Sequence, residues 1–372
     1  MTRKGQETMQ KFRRTTRPEE KDDPQNQGTS PEGLSFFKDR SVLISGAGGT
    51  VGTELCRQLL THSPARLILV ERSELNLSNL LQEIQPDAQK AEISLHPALE
   101  CVLRKDRMRH LMTSNGVSVV LHAAAYKHVP VVEMHPISGI ENNLFGTLSL
   151  AEAAVDAQVE KFLLVSTDKA IAPKGMLGAS KLLAEQAIWD LCNRSPKTMF
   201  SAVRFGNVYG SSGSAIPIWQ KQVAQGGPIT LTDPKATRYF MSLDEATRLV
   251  LQSAVLSAGR DLFALDMGPA RSILSLAKDV MAQAGRPDLP ITFTGLRPGE
   301  RLHEPAPVSS CMGQTLHPRI LRAKPEPLLP GDIRLLLRSL SAAVSENDPA
   351  AIQRLIDQWV FSKPVSGRRR QG

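Results

Sequence analysis

Between Ser41 and about Val208, short apolar runs alternate with segments of helical period: 41-SVLIS-45, 67-LILVE-71, 117-VSVVLHA-123, 161-KFLLVS-166 and 199-MFSAVRF-205. No other feature constrains the fold as much. A strand followed by a helix pairs with the next strand only after the chain has crossed back, so such strands run parallel and both sheet faces need covering. The expectation is an α/β fold, a doubly wound parallel sheet, with helices such as 133–157 between the strands.

After Asn207 the rhythm changes. The stretch 206-GNVYGSSGSAIP-217 has the composition of a loop, with Pro217 leading into a helix. A strand at 229–231, a helix near 242–258, a strand near 261–266 and a helix near 272–285 then predict a smaller lobe over the sheet's carboxyl edge. Prolines crowd 305–330 and predict an extended arm, and two helices, about 332–344 and 348–361, close the fold. The expected division is a charged, disordered tail (1–35), a Rossmann dinucleotide-binding unit (36–208), a C-terminal substrate lobe interleaved with the sheet (209–330), and C-terminal helices with a basic tail (331–372).

Composition excludes several classes. No run of about 18 apolar residues occurs, so no integral membrane segment is expected, and residues 1–30 lack the apolar centre of a secretory signal. Cys56, Cys101, Cys192 and Cys311 are scattered, which fits neither a disulfide framework nor a zinc site. A reducing cytoplasm and no metal are the expectation. The net charge of +8 lies largely in the tails, including 368-RRR-370, and no basic stripe is interleaved with aromatics. A small anionic ligand, not nucleic acid, accounts for the interior basic residues.

The loop 46-GAGGTVG-52 directly follows the first strand and opens a helix near Val51. Gly46, Gly49 and Gly52 allow a tight turn and close approach of backbone to a pyrophosphate, which sits at the helix N-terminus by Thr50 and Val51. Glu71 ends the second strand, where an acid bonds the adenosine ribose hydroxyls, and the adjacent Arg72 can pair a 2′-phosphate, so both NAD and NADP stay open. In 121-LHAAAYKHVPVVE-133 the small Ala123 and Ala124 let a cofactor lie flat across the strand end, and Tyr126, Lys127 and His128 face the cleft. His128 has no partner cluster and is not read as a metal ligand.

The strongest chemical feature is 166-STDK-169, which brings the hydroxyl of Thr167, the carboxylate of Asp168 and the ammonium of Lys169 to a strand's carboxyl end, where ligands bind such sheets. Lys181, on the following helix, can hold the nicotinamide ribose. Arg204, Arg238 and Arg297 lie in separate turn-rich segments. Guanidinium forks match phosphate oxygens, so these predict a nucleoside-diphosphate site.

In order along 36–304, GAGGTVGTELCRQ, HAAAYKHVPVVE, NNLFGT, VSTDKA, GASKLLAE, RFGNVYGSSGSAIP, TRYFMSLDEA and LRPGERLHE make the chain resemble the polysaccharide-biosynthesis branch of the extended short-chain dehydrogenases. That branch includes UDP-N-acetylglucosamine 4,6-dehydratases. Against the family pattern, Leu177 stands at the catalytic tyrosine position, where larger relatives carry methionine. Cys101 replaces an aspartate near the adenine, and Pro305 replaces an acidic residue. A leucine accepts no proton.

The resemblance implies a redox-neutral elimination on a UDP-sugar, with a tightly held NAD or NADP. Hydride leaves C4 of the sugar and later returns to C6, with water lost between. Thr167 would bond the C4 oxygen, Asp168 would be the acid at C6 and Lys169 the base at C5, while Lys127, His128, Asn207, Arg238 and Arg297 would serve the substrate. A cytoplasmic homo-oligomer is also implied. Two alternatives stay open: an epimerase of the same fold, and a catalytically silent nucleotide-sugar-binding protein, motivated by Leu177 and Cys101.

Overall fold

The structure, a computed structural model, describes residues 31–362 apart from 196, 307–311, 324 and 326. Of the tail expected over 1–35, residues 1–30 lie outside the described residues, as do Cys311 and the 368–370 arginines, whereas 31–35 belong to a 3₁₀ turn, Pro31–Phe37, that buries Leu34 in the core. One sheet holds β1 (Ser41–Ser45), β2 (Arg66–Glu71), β3 (Ser94–Leu99), β4 (Val119–His122), β5 (Lys161–Val165), β6 (Met199–Arg204), β7 (Asp261–Leu265), β8 (Gly313–Gln314) and β9 (Ile320–Ala323). Their order is β8-β9-β7-β6-β5-β4-β1-β2-β3. Strands β7 through β3 pair in parallel, and β9 and β8 add an antiparallel edge. The order reverses between β1 and β4, and a crevice opens beyond the strand ends at such a switch point.

The helices are α1 (Thr50–Leu60), α2 (Glu74–Lys90), α3 (Lys105–Ser114), α4 (Gly146–Asp156), α5 (Met176–Arg194), α6 (Ala215–Ala224), α7 (Leu243–Leu256), α8 (Ile273–Gln283), α9 (Pro330–Ser345) and α10 (Pro349–Ile356). Alternation along each strand splits the apolar residues between two layers. Val42, Ile44, Leu67, Leu69 and Leu163 pack with Leu55, Leu80 and Val250 of α1, α2 and α7. Their neighbours Leu43, Ile68, Val70, Phe162 and Leu164 pack with Met108, Leu150 and Trp189 of α3, α4 and α5. Both faces are buried, which is why the strands read as unbroken apolar runs.

A smaller cluster around Trp219, Ile229, Ile273 and Leu276 joins α6 and α8 to a two-stranded pair, Ile229–Leu231 with Ile291–Phe293. Leu336, Leu340, Ile352 and Ile356 seat α9 and α10 on α5, against Leu177 and Leu183.

Three elements depart from the sequence reading. The helix expected over 133–157 is broken into Val129–Met134, Pro136–Ile140, a π turn Glu141–Phe145 and then α4. Pro136 lacks the N–H needed to continue a helix, and the π turn carries the buried Asn142 and Asn143. Strand β3 escaped notice because it is a largely exposed edge strand containing Pro97. The arm expected over 305–330 contributes β8 and β9 to the main sheet. Among the described residues no helix is long and apolar enough to cross a membrane.

Phe162 is fully buried between Phe200 and His122. Phe162→Ala should cost about 3–5 kcal/mol of stability in urea unfolding. Leu75→Ala, at a side chain 68% exposed, should change stability by less than about 0.5 kcal/mol.

Candidate active site

The glycine loop is shaped by contacts that leave no room for side chains. Gly46 has φ +66°, and a Cβ there would lie 2.7 Å from Ala124 Cα, so the ends of β1 and β4 touch backbone to backbone. A Cβ on Gly52 would collide with the Gly46 carbonyl, whereas one on Gly49 meets only that oxygen, at 3.2 Å. Gly46 and Gly52 therefore serve the fold, while Gly49 leaves free space. Gly49 caps α1, and no side chain bonds the cap.

Glu71 is buried. Its Oε2 accepts from the Gly48 N–H at 3.2 Å and its Oε1 from the Ser73 N–H at 2.9 Å. Arg72 turns away, donating to the Tyr126 hydroxyl at 2.6 Å and Asn142 Oδ1 at 3.3 Å while lying over the Tyr126 ring. A second crossing comes from the 206–217 loop, where the Ser212 N–H donates to Thr50 Oγ1 at 3.1 Å and Gly213 backs onto the His128 ring. Ala123 is half-buried beside Ala124, and Lys127 lies exposed.

At the end of β5 the STDK residues converge. Thr167 Oγ1 donates to Asp168 Oδ1 at 2.9 Å, and Lys169 Nζ donates to the same oxygen at 3.0 Å. Asp168 is fully buried, and its Oδ2 has no hydrogen-bond partner among the described residues. Glu304, which sequence reasoning did not single out, brings Oε1 to 3.7 Å from Lys169 Nζ and 3.6 Å from Arg238 Nε, with Oε2 buried and unpartnered. Burial pulls the Lys169 pKa down, but the charges of Asp168 and Glu304 and the Asp168 hydrogen bond outweigh it, so the pKa is raised. The resting lysine is an ammonium ion. Asn207 lies nearby: its N–H donates to the Tyr239 carbonyl, and the Asp168 N–H donates to the adjacent Phe205 carbonyl.

A small cavity beside Lys169 is lined by Glu133, Lys174, Leu177, Arg301 and Glu304. Leu177 thus faces the cleft from α5, one turn before Lys181. Glu133, also missed in the sequence, accepts from the Met176 N–H at 2.6 Å and fixes the start of that helix, with Gly175 and Gly299 closed around its carboxylate. Lys181 Nζ donates to the Val165 carbonyl at 2.8 Å, and burial draws its pKa down to about 8, against a weaker opposing pull from Glu185. Beneath it His122 sits between Ser45 Oγ at 2.6 Å and Thr147 Oγ1 at 2.9 Å. Burial, helped by the charge of Lys181, lowers the His122 pKa to about 3 and keeps it neutral.

The three arginines expected at a diphosphate each make contacts within the protein. Arg204 makes a bidentate pair with the buried Glu185, at 2.9 and 2.5 Å. Arg238 donates to the carbonyls of Thr237, Arg301 and Leu302 and faces Glu304. Arg297 pairs with Glu300 at the surface. The partners of Arg204 and Arg238 come from segments distant in sequence, and that of Arg297 from three residues on.

Residues 42–325 match the family described as polysaccharide biosynthesis protein. The chain belongs to that family. It is 39% identical over 305 residues to the capsular polysaccharide biosynthesis protein CapD of Staphylococcus aureus, an alignment covering 81% of this chain and 51% of that protein. The chain therefore spans about half the length of that curated relative. It is 32% identical over 273 residues to a UDP-N-acetylglucosamine 4,6-dehydratase (inverting) of Campylobacter jejuni, covering 72% of this chain and 78% of the relative. A UDP-glucose 4-epimerase of Rickettsia massiliae is 33% identical over 276 residues, with the same two coverages. Among solved structures, Pen from Bacillus thuringiensis superposes with a TM-score of 0.71 at 30% identity, covering 82% of this chain and 98% of that one.

The lowered Lys181 pKa gives a direct check. In the cofactor-free protein, the lysine side-chain NMR resonance that disappears in Lys181→Met should titrate with a midpoint of about 8. A midpoint at the ordinary lysine value would contradict the burial described for its ammonium.

Proposed function

We propose that this chain is a nucleotide-sugar 4,6-dehydratase that converts a UDP-N-acetylglucosamine-like sugar to its 4-keto-6-deoxy product with a retained NAD or NADP. The observation that carries the reading is the hydrogen-bonded Thr167–Asp168–Lys169 cluster, with Asp168 fully buried and with Lys169 and Leu177 lining one cavity. Proton-transferring groups stand at the strand end, and none stands at the tyrosine position.

The residues fit the dinucleotide. The space at Gly49 and the uncapped start of α1, at Thr50 and Val51, suit a pyrophosphate. Each Glu71 oxygen takes one backbone N–H and keeps a lone pair for a ribose hydroxyl. Ala123 and Ala124 would form the flat wall, and Lys181 would hold the nicotinamide ribose. When bound, the cofactor supplies the acceptor, and later the donor, of hydride.

The chain's own residues move the protons. Thr167 bonds the C4 hydroxyl and relays its proton along the 2.9 Å contact to Asp168. Asp168 delivers that proton to the departing C6 hydroxyl, which leaves as water. Lys169, as the free amine, takes the C5 proton and returns it after hydride reaches C6. Each oriented group is worth about 10²–10⁴-fold in rate. Lys127, His128 and Asn207 would contact the sugar nucleotide. Arg238 acts from behind Glu304.

The dehydratase named among the relatives supports this reading, and the epimerase named there favours a second one, inversion without loss of water. Incubation of purified protein with UDP-N-acetylglucosamine, followed by mass spectrometry, separates them. A product lighter by one water supports dehydration, and an isomer of unchanged mass supports epimerisation. A nicotinamide dinucleotide should also copurify with the protein. Gly49→Ala should cut its content roughly tenfold by blocking backbone approach, with little change in the stability of the cofactor-free fold.

A further inference from the structure

We propose that Glu304 takes the ammonium proton of Lys169, leaving the free amine that abstracts the C5 proton. The inference rests on the dehydratase reading and deepens it. An ammonium ion has no lone pair and cannot act as a base, and Lys169 sits between two carboxylates that keep it protonated. Asp168 cannot be the acceptor, because it must receive the C4 proton through Thr167 and carry it to C6. A second carboxylate is needed, and Glu304 is the one within reach, with Oε1 at 3.7 Å. Contacts of this length commonly tighten when a site closes on its substrate.

Glu304 is buried and stands beside a second cation. Its Oε2 is buried and makes no hydrogen bond to any described residue. Arg238 stands 3.6 Å from Oε1, anchored through its Nη atoms to the carbonyls of residues 237, 301 and 302, so it fixes the carboxylate's place. Of the other charged groups around the cavity, Arg301 bonds the Ala172 carbonyl, Lys174 is an exposed cation, and Glu133 holds the Met176 N–H; among the described residues the carboxylates in contact with Lys169 Nζ are those of Asp168 and Glu304. Glu304 follows His303, whose backbone and ring pair with Thr237 beside Arg238.

The proton count balances. An N–H bond of Lys169 breaks as an O–H bond forms on Glu304. The C5–H bond then breaks and restores that N–H bond. After hydride reaches C6, Lys169 returns a proton to C5 and recovers its own from Glu304. No external acid or base is consumed.

The test compares holoenzyme carrying Glu304→Gln or Glu304→Asp with the unaltered protein, using UDP-N-acetylglucosamine in deuterated buffer across a pH series. In Glu304→Gln, kcat at neutral pH should fall about a hundredfold with KM changed less than about threefold. The absorbance of reduced cofactor should still develop, because C4 oxidation does not need Glu304, while deuterium no longer enters at C5. Raising the pH should restore the rate, log kcat climbing with a slope near one as Lys169 loses its proton to solvent. Glu304→Asp should keep the flatter profile of the unaltered protein.

A merely structural Glu304 would give parallel pH profiles or loss of cofactor reduction along with turnover, and either result overturns the proposal. If the unaltered protein exchanges C5 without losing water, the dehydratase reading fails, and C5 exchange alone then decides whether Glu304 is required.

Discussion

At the end of β5, the Lys169 ammonium and the Asp168 carboxylate meet at 3.0 Å, with Asp168 wholly removed from solvent. Taking such ions out of water costs several kcal/mol each and is tolerated only where further polar contacts surround them. Here those contacts come from every side. Thr167 donates to the same carboxylate oxygen, and Glu304 faces the ammonium from the small lobe's arm. Arg238 holds the segment before Glu304 by two backbone carbonyls, those of Arg301 and Leu302. Segments distant in sequence thus meet at the end of β5.

The same crowding shapes the neighbouring elements. Gly46 must be glycine so that β1 and β4 can end side by side, and Glu133 must reach the Met176 N–H so that α5 begins where Leu177 and Lys181 border the cleft. Arg72 on Tyr126 and Ser212 on Thr50 carry protein across the cleft at two places. Such crossings support a cofactor that is regenerated in each cycle and need not leave.

The parallel sheet was legible because its strands are buried on both faces and therefore read as unbroken apolar runs. Strand β3 was not legible, since an exposed edge strand with Pro97 has neither the apolar run nor the alternation that marks a strand. The convergence of Thr167, Asp168 and Lys169 could be read directly, because three adjacent residues at a strand end share a location by covalent connection. Glu304 and Glu133 could not, as they reach the site through tertiary contacts from distant segments. The arginines' contacts within the protein were not legible for a related reason: a guanidinium fits a carboxylate or a carbonyl as well as a phosphate, and sequence does not show which is within reach. Glu185 and the carbonyls of residues 301 and 302 claimed them.

The central claim is that proton transfer resides in the strand-end cluster and not at position 177. Its most direct measurement is the steady-state turnover of Asp168→Asn holoenzyme, with UDP-sugar affinity measured in parallel. The account predicts a loss of about 10²–10⁴-fold in kcat with affinity changed only a few-fold, while Leu177→Met keeps full activity as a volume-conserving apolar exchange. Near-normal turnover by Asp168→Asn would contradict it and move the acid–base role to Lys127, His128 or Tyr126.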